Sequence, residues 1–214
     1  KGSASYEFVI DGTATFDFQR DWLPDPYKHK PTLLHIGTLV TAIEPGASVL
    51  FDWALEVSEL APVIFDPNIR PAVIPDRDLY RKQVEKWIGI SSVVKVSEDD
   101  IAWLYPDRDD VEIAKEWIAG DVSLVVITRG ANGLVGITKS GVYTVPGVKV
   151  DVVDTIGAGD TAGAVIAEAV NKFGLEELDG AALLVSMEKA ARAAAITCTR
   201  KGANPPTSKE LNLD

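Results

Sequence analysis

The stretch Val152-Val-Asp-Thr-Ile-Gly-Ala-Gly-Asp-Thr-Ala-Gly-Ala164 decides how the rest of the chain is read. An apolar run ends at Asp154, three small residues (Gly157, Ala158, Gly159) follow, and Asp160 opens a segment whose apolar side recurs at Ala162, Val165, Ile166, Ala169 and Phe173. That recurrence is the spacing of an amphipathic helix. Small residues permit a sharp strand-to-helix turn. The first N–H groups of a helix lack intrahelical acceptors, so together with the helix dipole they attract an anion. The ordinary alternative is a tight turn in which Asp160 serves only as a helix cap.

Outward from this stretch, short apolar runs alternate with helical patterns. Strands are expected at 33–36, 63–66, 93–96, 124–128 and 148–153, and helices near 46–60, 76–88, 98–105, 109–119, 160–173 and 179–198. Such alternation predicts an α/β fold with a doubly wound, mostly parallel sheet, because crossover helices join parallel neighbours and cover both faces. Gly133 to Val145, with Lys139-Ser140-Gly141 between two apolar runs, predicts an added β-hairpin. Near the start, Tyr6, Phe8 and Ile10 alternate, Asp11-Gly12 interrupts, and Ala14, Phe16 and Phe18 alternate again, which predicts a second hairpin. A polar, proline-containing stretch from Asp21 to Pro31 then separates a small β element with its connector, residues 1–30, from an α/β core, residues 31–214.

Composition excludes several classes of function. With 214 residues, 46% hydrophobic and 25% charged, the chain can bury a core without disulfides or metals. Its 21 basic and 32 acidic residues give a net charge of −11, which repels polyanions and argues against nucleic acid or an anionic membrane as the main partner. Any phosphate must therefore be held by local groups. A single cysteine, Cys198, allows neither an intramolecular disulfide nor a thiolate zinc cluster. No apolar run approaches the roughly 20 residues of a membrane span, and Lys1 to Tyr6 lack the apolar centre of a signal peptide, so a cytoplasmic protein is expected. His29 and His35 are the only histidines, and His35 is assigned a structural role. Carboxylates and backbone groups are left to carry catalysis.

Two chemistries compete for the 152–164 stretch. Gly157-Ala-Gly-Asp-Thr-Ala162 satisfies the dinucleotide fingerprint GxGxx(G/A). That fingerprint needs an acidic residue about 20 positions on at the end of a second strand, whereas Glu176, Glu177 and Asp179 lie between two helical patterns. A carboxylate among anion-binding amides suits phosphoryl transfer better: Asp160 takes a proton from a hydroxyl while the amides hold the phosphoryl group that the hydroxyl attacks. Gly130 to Ser140 contains glycines, Lys139 and Ser140 but no Gly-Lys pair, which excludes a P-loop.

Asp154-Thr-Ile-Gly-Ala-Gly-Asp160 closely resembles D-T-x-G-A-G-D, the carboxy-terminal signature of the ribokinase-like (PfkB) carbohydrate kinases. The resemblance extends along the chain. Phe65-Asp-Pro-Asn-Ile-Arg70 is similar to the D-P-N-x-R element of the fructokinase branch, and Lys95-Val-Ser-Glu-Asp-Asp100 to its nucleotide-side segment. Thr128-Arg-Gly130 with Gly133 resembles the T-x-G turn, Thr199 to Ala203 with Pro205-Pro206 the closing loop, and Ser5-Tyr6-Glu-Phe8 with its hairpin the lid. The family's first strand, with its sugar-binding Asp, and its G-G-x-x-x-N signature have no counterpart after Lys1, so the chain is expected to hold the nucleotide half of the fold and the base.

The resemblance implies ATP-dependent phosphorylation of a sugar hydroxyl, with ATP, Mg²⁺ and K⁺ as cofactors and homodimerisation through the β lid. Fructose is favoured by the Ser-Ala-Ser-Tyr-Glu-Phe run and by the lack of a Tyr-Tyr-Arg acid-sugar motif. 2-Keto-3-deoxygluconate is the alternative substrate, and a non-catalytic nucleotide or sugar sensor the alternative class. It implies Asp160 as base, with Gly157, Ala158 and Gly159 offering N–H groups to the phosphoryl. Lys95, Thr128, Gly130, Gly133, Gly202 and Asn204 would lie on the nucleotide, and Asn68 and Arg70 on sugar or phosphate. Glu98 would hold Mg²⁺ through water, and carbonyls near Asp154 and Ile156 would line a monovalent cation site. Each has a plainer alternative: a helix N-terminal charge for Glu98, a solvated strand end for Lys95, a surface ion pair for Arg70.

Overall fold

The computed structural model describes residues 8–10 and 12–211, which form two compact units, one up to Val126 and the other from Ile127. The first contains α1 (Pro26–His29), β1 (Leu34–Gly37), α2 (Gly46–Ser58), β2 (Val63–Asp66), α3 (Arg77–Ile88), β3 (Val93–Ser97), α4 (Glu98–Leu104) and α5 (Asp110–Ala119). β4 (Leu124–Thr128) runs across the division. Strand order in the first unit is β1-β2-β3-β4. β1 and β2 are parallel, with Leu34 opposite Val63 and Gly37 opposite Asp66, and β2 and β3 are parallel, with Ile64 opposite Val93.

Successive side chains of a strand point to opposite faces, and every residue of β2 and all but the last of β3 and β4 are buried. These strands are therefore covered on both faces, which explains why they are apolar along nearly their whole length. The helices between them begin where short polar side chains take up the free N–H groups. Asp76 accepts from Leu79 N–H (3.0 Å), Asp109 from Val111 and Glu112 N–H (2.9 and 3.0 Å), and Ser97 forms a capping box with Asp100. Trp87, 1% exposed, stacks on Phe65 of β2 (5.8 Å), meets Phe51 of α2 edge-on (5.1 Å) and donates its Nε1–H to Thr41 O (2.8 Å).

The second unit continues in the order β4-β5-β6 and adds two long helices. β5 (Leu134–Thr138) and β6 (Gly141–Val145) pair antiparallel with Thr138 opposite Gly141, which is the expected hairpin. α6 (Ala158–Glu177) is interrupted at Gly174 (φ 72°, ψ 170°), close to its expected end, and α7 is Gly180–Cys198. α7 packs on the hairpin so closely that a Cβ at Gly136 would stand 2.6 Å from Met187 Sδ. Asp179 fixes this arrangement by accepting from Gly180 N–H (2.8 Å) and Thr138 Oγ1 (3.0 Å). The hydroxyls of Ser140 and Tyr143 hold its carboxyl at about 2.

Two expected elements are absent among the described residues. Tyr6 and Asp11 of the first hairpin lie outside them, and Ala14–Phe16 is a 3₁₀ turn instead of a strand. Thr13 sends both its N–H and its Oγ1–H back to Ile10 O (3.2 and 2.8 Å), and a lone two-stranded ribbon gains too little to compete. The segment that follows is strapped to α2 by Arg20–Glu56 (2.7 Å), Trp53 Nε1–H to Pro24 O (2.8 Å) and Tyr27 Oη to Glu59 (2.9 Å). The run 148–153 is not a strand either. Val153 and Asp154 N–H both donate to Cys198 O at the end of α7 (2.8 and 3.2 Å), and Val152 and Val153 are 63% and 64% exposed. A helix's last carbonyls need partners, and here Cys198 O captures the end of a run that its apolar residues assign to a strand.

Truncation of Trp87 tests this packing. Trp87→Ala should lower unfolding stability by about 3–5 kcal/mol, the usual cost of emptying a buried aromatic site, as read by urea denaturation followed by circular dichroism. A loss below about 1 kcal/mol would show that Trp87 is not central to the core.

Candidate active site

The expected site residues fall into one cluster in the first unit and, in the second, a second cluster at the junction of α6 and α7 and a turn after β4. In the first, β2 ends at Asp66, and Pro67 and Asn68 turn the chain with Asn68 in the left-handed region (φ 42°). Ile69 N–H donates to Asp100 Oδ1 (2.9 Å), and Arg70 folds back so that Nη1 donates to Asn68 O (3.2 Å) and Ile69 O (2.9 Å). Burial pushes the Asp100 carboxyl up, against the opposing pull of Ser97 and the Ile69 N–H. Glu98, half-buried, is the first residue of α4. Lys95 is not a solvated strand end: it is buried, with Nζ 2.5 Å from Asp66 Oδ2.

Asp66 and Asp100 are the residues that sequence reasoning missed as parts of this cluster. The signal for Asp100 was present in Ser97-Glu-Asp-Asp100, a Ser-x-x-acid capping pattern. Asp66 was read as a strand end and as the first residue of the D-P-N-x-R element, with no partner assigned to it.

In the second cluster, Gly157 is the N-cap of α6 with φ 79°, a conformation that favours glycine, and a Cβ there would stand 2.8 Å from Ala203 Cβ. Asp154 spans the two segments: Oδ1 accepts from Ile156 N–H (3.0 Å) and Oδ2 from Gly202 N–H (2.9 Å). Those N–H groups hold its carboxyl below the usual carboxylate range. Thr161 Oγ1 meets Gly157 O (2.8 Å) and Thr197 Oγ1 (3.0 Å), tying the first turn of α6 to the last turn of α7. Burial and the Asp154 charge push the Cys198 thiol up.

Asp160 is exposed in the first turn of α6. The N–H groups of Gly159 and Asp160 have no intrahelical acceptor at this position. Ala158 differs from expectation, since its N–H already points to Thr155 O (3.3 Å). Thr128 ends β4, and the turn beyond it is closed by Arg129 N–H to Gly133 O (2.8 Å), with Gly133 at φ 95° and its Cα against Val145 O, where a Cβ would sit at 2.1 Å. Gly130 is exposed. Gly202 is half-buried, and Asn204 is exposed with its N–H on Gly202 O (2.9 Å).

The dinucleotide alternative requires a strand leading directly into the glycine turn, and 148–153 is not one. For Mg²⁺, which is commonly held by one or two carboxylates together with substrate phosphates and water, Glu98 is a suitable donor. For a monovalent cation, the backbone carbonyls near Asp154 and Ile156 are the candidate donors, beside a carboxylate whose two oxygens each accept one N–H. Among the described residues, no helix is long and apolar enough to cross a membrane.

Residues 1–210 match the pfkB family carbohydrate kinase, and the chain belongs to that family. It is 36% identical over 161 residues to a fructokinase of Rhizobium leguminosarum bv. trifolii, covering 75% of this chain and 49% of that protein. It is 33% identical over 216 residues to a probable fructokinase-4 of Arabidopsis thaliana, covering 98% of this chain and 66% of that one. The crystal structure of fructokinase from Vibrio cholerae O395, in fructose, ADP and calcium ion bound form, is similar with a TM-score of 0.79 and 28% identity over 95% of this chain and 65% of that chain. The chain thus spans about half to two thirds of the length of these relatives.

Asp154 gives a pH test of the second cluster. Its folded carboxyl titrates below the unfolded value of about 3.9. The stability it contributes is therefore complete above that value and is lost as the pH falls from about 4 through the folded pKa. Asp154→Asn should lower stability at neutral pH and flatten the acid limb, as measured by thermal unfolding between pH 6 and pH 3. A variant whose profile overlays the parent at every pH would remove Asp154 from this role.

Proposed function

We propose that the chain supplies the nucleotide half and the base of an ATP-dependent sugar kinase whose substrate is fructose. The observation that carries this is the exposed Asp160 carboxylate in the first helical turn of α6, beside N–H groups with no helical partner. In the proposed reaction an Asp160 oxygen takes the proton of the sugar hydroxyl as the hydroxyl oxygen bonds to the γ-phosphorus of ATP. The bond from phosphorus to the bridging oxygen breaks, ADP leaves, and the proton remains on Asp160 until solvent removes it. The Gly159 and Asp160 N–H groups, with the dipole of α6, stabilise charge on the transferring group. A residue with a Cβ at 157 would disturb this turn, because the glycine conformation and the approach of Ala203 both depend on its absence.

Thr128, Gly130, Gly133, Gly202 and Asn204 are assigned to the nucleotide, and Asn68 and Arg70 to sugar or phosphate. Glu98 would hold Mg²⁺ through water, and the ion when bound neutralises phosphate charge. The carbonyls near Asp154 and Ile156 are assigned to K⁺. Support comes from the family membership and from the fructokinases among the relatives. A cytoplasmic location and association of two copies through residues 1–30 belong to the same proposal. Light scattering tests the association, and a monomer mass at working concentration would end it.

In the intact, active protein, Asp160→Asn should lower fructose-dependent ATP consumption by at least about 10²-fold, the range expected for a lost general base, while the parent melting temperature is retained. Near-normal turnover would remove Asp160 from the chemistry. Running 2-keto-3-deoxygluconate in parallel decides the substrate, and binding without turnover would establish a sensor. ATP with Mg²⁺ should also raise the melting temperature of the chain whereas NAD does not, because a ligand specific for the native state stabilises it. Stabilisation by NAD alone would favour the dinucleotide alternative.

A further inference from the structure

We infer that Lys95 acts on the proposed reaction as a positioning residue, through a reciprocal brace that locks the connection after β2 to the connection after β3. The inference rests on the kinase reading above. The parallel register, with Ile64 opposite Val93 and Phe65 opposite Val94, carries on to set Asp66 beside Lys95 on one face of the sheet. Both side chains are 7% exposed, and Nζ lies 2.5 Å from Oδ2. Taking two charges out of water is costly, and an apolar pair of similar volume commonly holds a core as well or better. Stability alone therefore does not account for a charged pair at this position.

What the pair does account for is geometry. Asp66 is the root of the connection that carries Asn68 and Arg70, and its carboxylate reaches across to β3. Two residues beyond Lys95, Ser97 caps α4 together with Asp100, whose Oδ2 accepts from Ser97 N–H (3.2 Å). The other oxygen of Asp100 reaches back across to Ile69 N–H (2.9 Å). Each connection thus lends a carboxylate to the other. Asn68 and Arg70 on one side, and Glu98 on the other, are held in a common frame by two crossing polar contacts that are themselves buried. Asp66 takes one of the three N–H donors of the Lys95 ammonium, and burial keeps the group from solvent.

The test compares Lys95→Met, Asp66→Asn, the double change and Asp100→Asn. Hydrogen exchange on this chain reads the brace directly. The Ile69 amide should exchange at least about tenfold faster in Lys95→Met and in Asp100→Asn, with β4 amides unaffected. In the active protein, Lys95→Met should lower kcat for the sugar at least about tenfold while KM for ATP stays within about twofold. The double change should keep most of that loss, because balancing the buried charge does not restore the contact; recovery to the parent level in the double change would trace the loss to an unpaired charge and overturn the inference. Where Lys95→Met does not fold, Asp66→Asn set against the double change makes the same comparison. A raised KM for ATP that Asp66→Asn does not rescue would make Lys95 a phosphate ligand and overturn the inference. Unchanged Ile69 exchange, or turnover at the parent level in Lys95→Met, would overturn it as well. If the parent itself shows no sugar-dependent turnover, the kinase reading fails by itself, and Ile69 exchange still decides whether the brace exists.

Discussion

A strand covered on both faces leaves its chain only its ends at which to be polar, because an unpaired polar group in the interior is costly. β2, β3 and β4 obey this constraint: Val-Ile-Phe, Val-Val and Leu-Val-Val-Ile fill the interior, and Asp66, Ser97 and Thr128 stand at the carboxyl ends. Lys95 is the one charged residue drawn inside β3, and it is accepted only with a carboxylate partner of equal burial. Chemistry at the carboxyl edge thus follows from packing, since this is where the sequence is free to change from apolar to reactive. Ligands of open α/β sheets gather at that edge for the same reason.

The second cluster is built from helix ends. The last carbonyls of α7 and the first amides of α6 are groups that no helix can satisfy internally. Val153 and Asp154 take up Cys198 O, while Asp154 uses its own side chain to gather Ile156 and Gly202 amides from opposite sides. The Thr161–Thr197 hydroxyl contact closes the same junction from within. Asp160 projects from a helical turn fixed at several points, so the fold itself sets where its backbone stands.

Most of the fold was legible in the sequence. Strands 63–66 and 124–128 and the 133–145 hairpin lie where periodicity put them, because long β-branched runs and a Ser-Gly turn leave few alternatives. The failures were the described part of the 6–18 segment, where alternation was read as a hairpin, and 148–153, where an apolar run was read as a strand. Alternation reports which side chains share a face, but the hydrogen bonds in each case were claimed elsewhere, by Ile10 O and by Cys198 O. In the candidate site, glycine-rich turns and capping acids could be read from local spacing. The Asp66–Lys95 pair could not, because its partners are 29 residues apart and meet only through strand register.

The division of the chain near Val126 has a spectroscopic consequence. Trp22, Trp53, Trp87, Trp103 and Trp117 all precede it, so the unit that contains Asp160 has no tryptophan at all. Indole emission therefore monitors the β1–β3 side of the protein, with Trp87 in its core, and leaves α6 and α7 optically silent. Should the two units melt at different temperatures, the fluorescence transition and the far-ultraviolet dichroism transition would separate, since only the latter senses both sets of helices. A tryptophan introduced into the β5–β6 hairpin would give the silent half an optical reporter of its own.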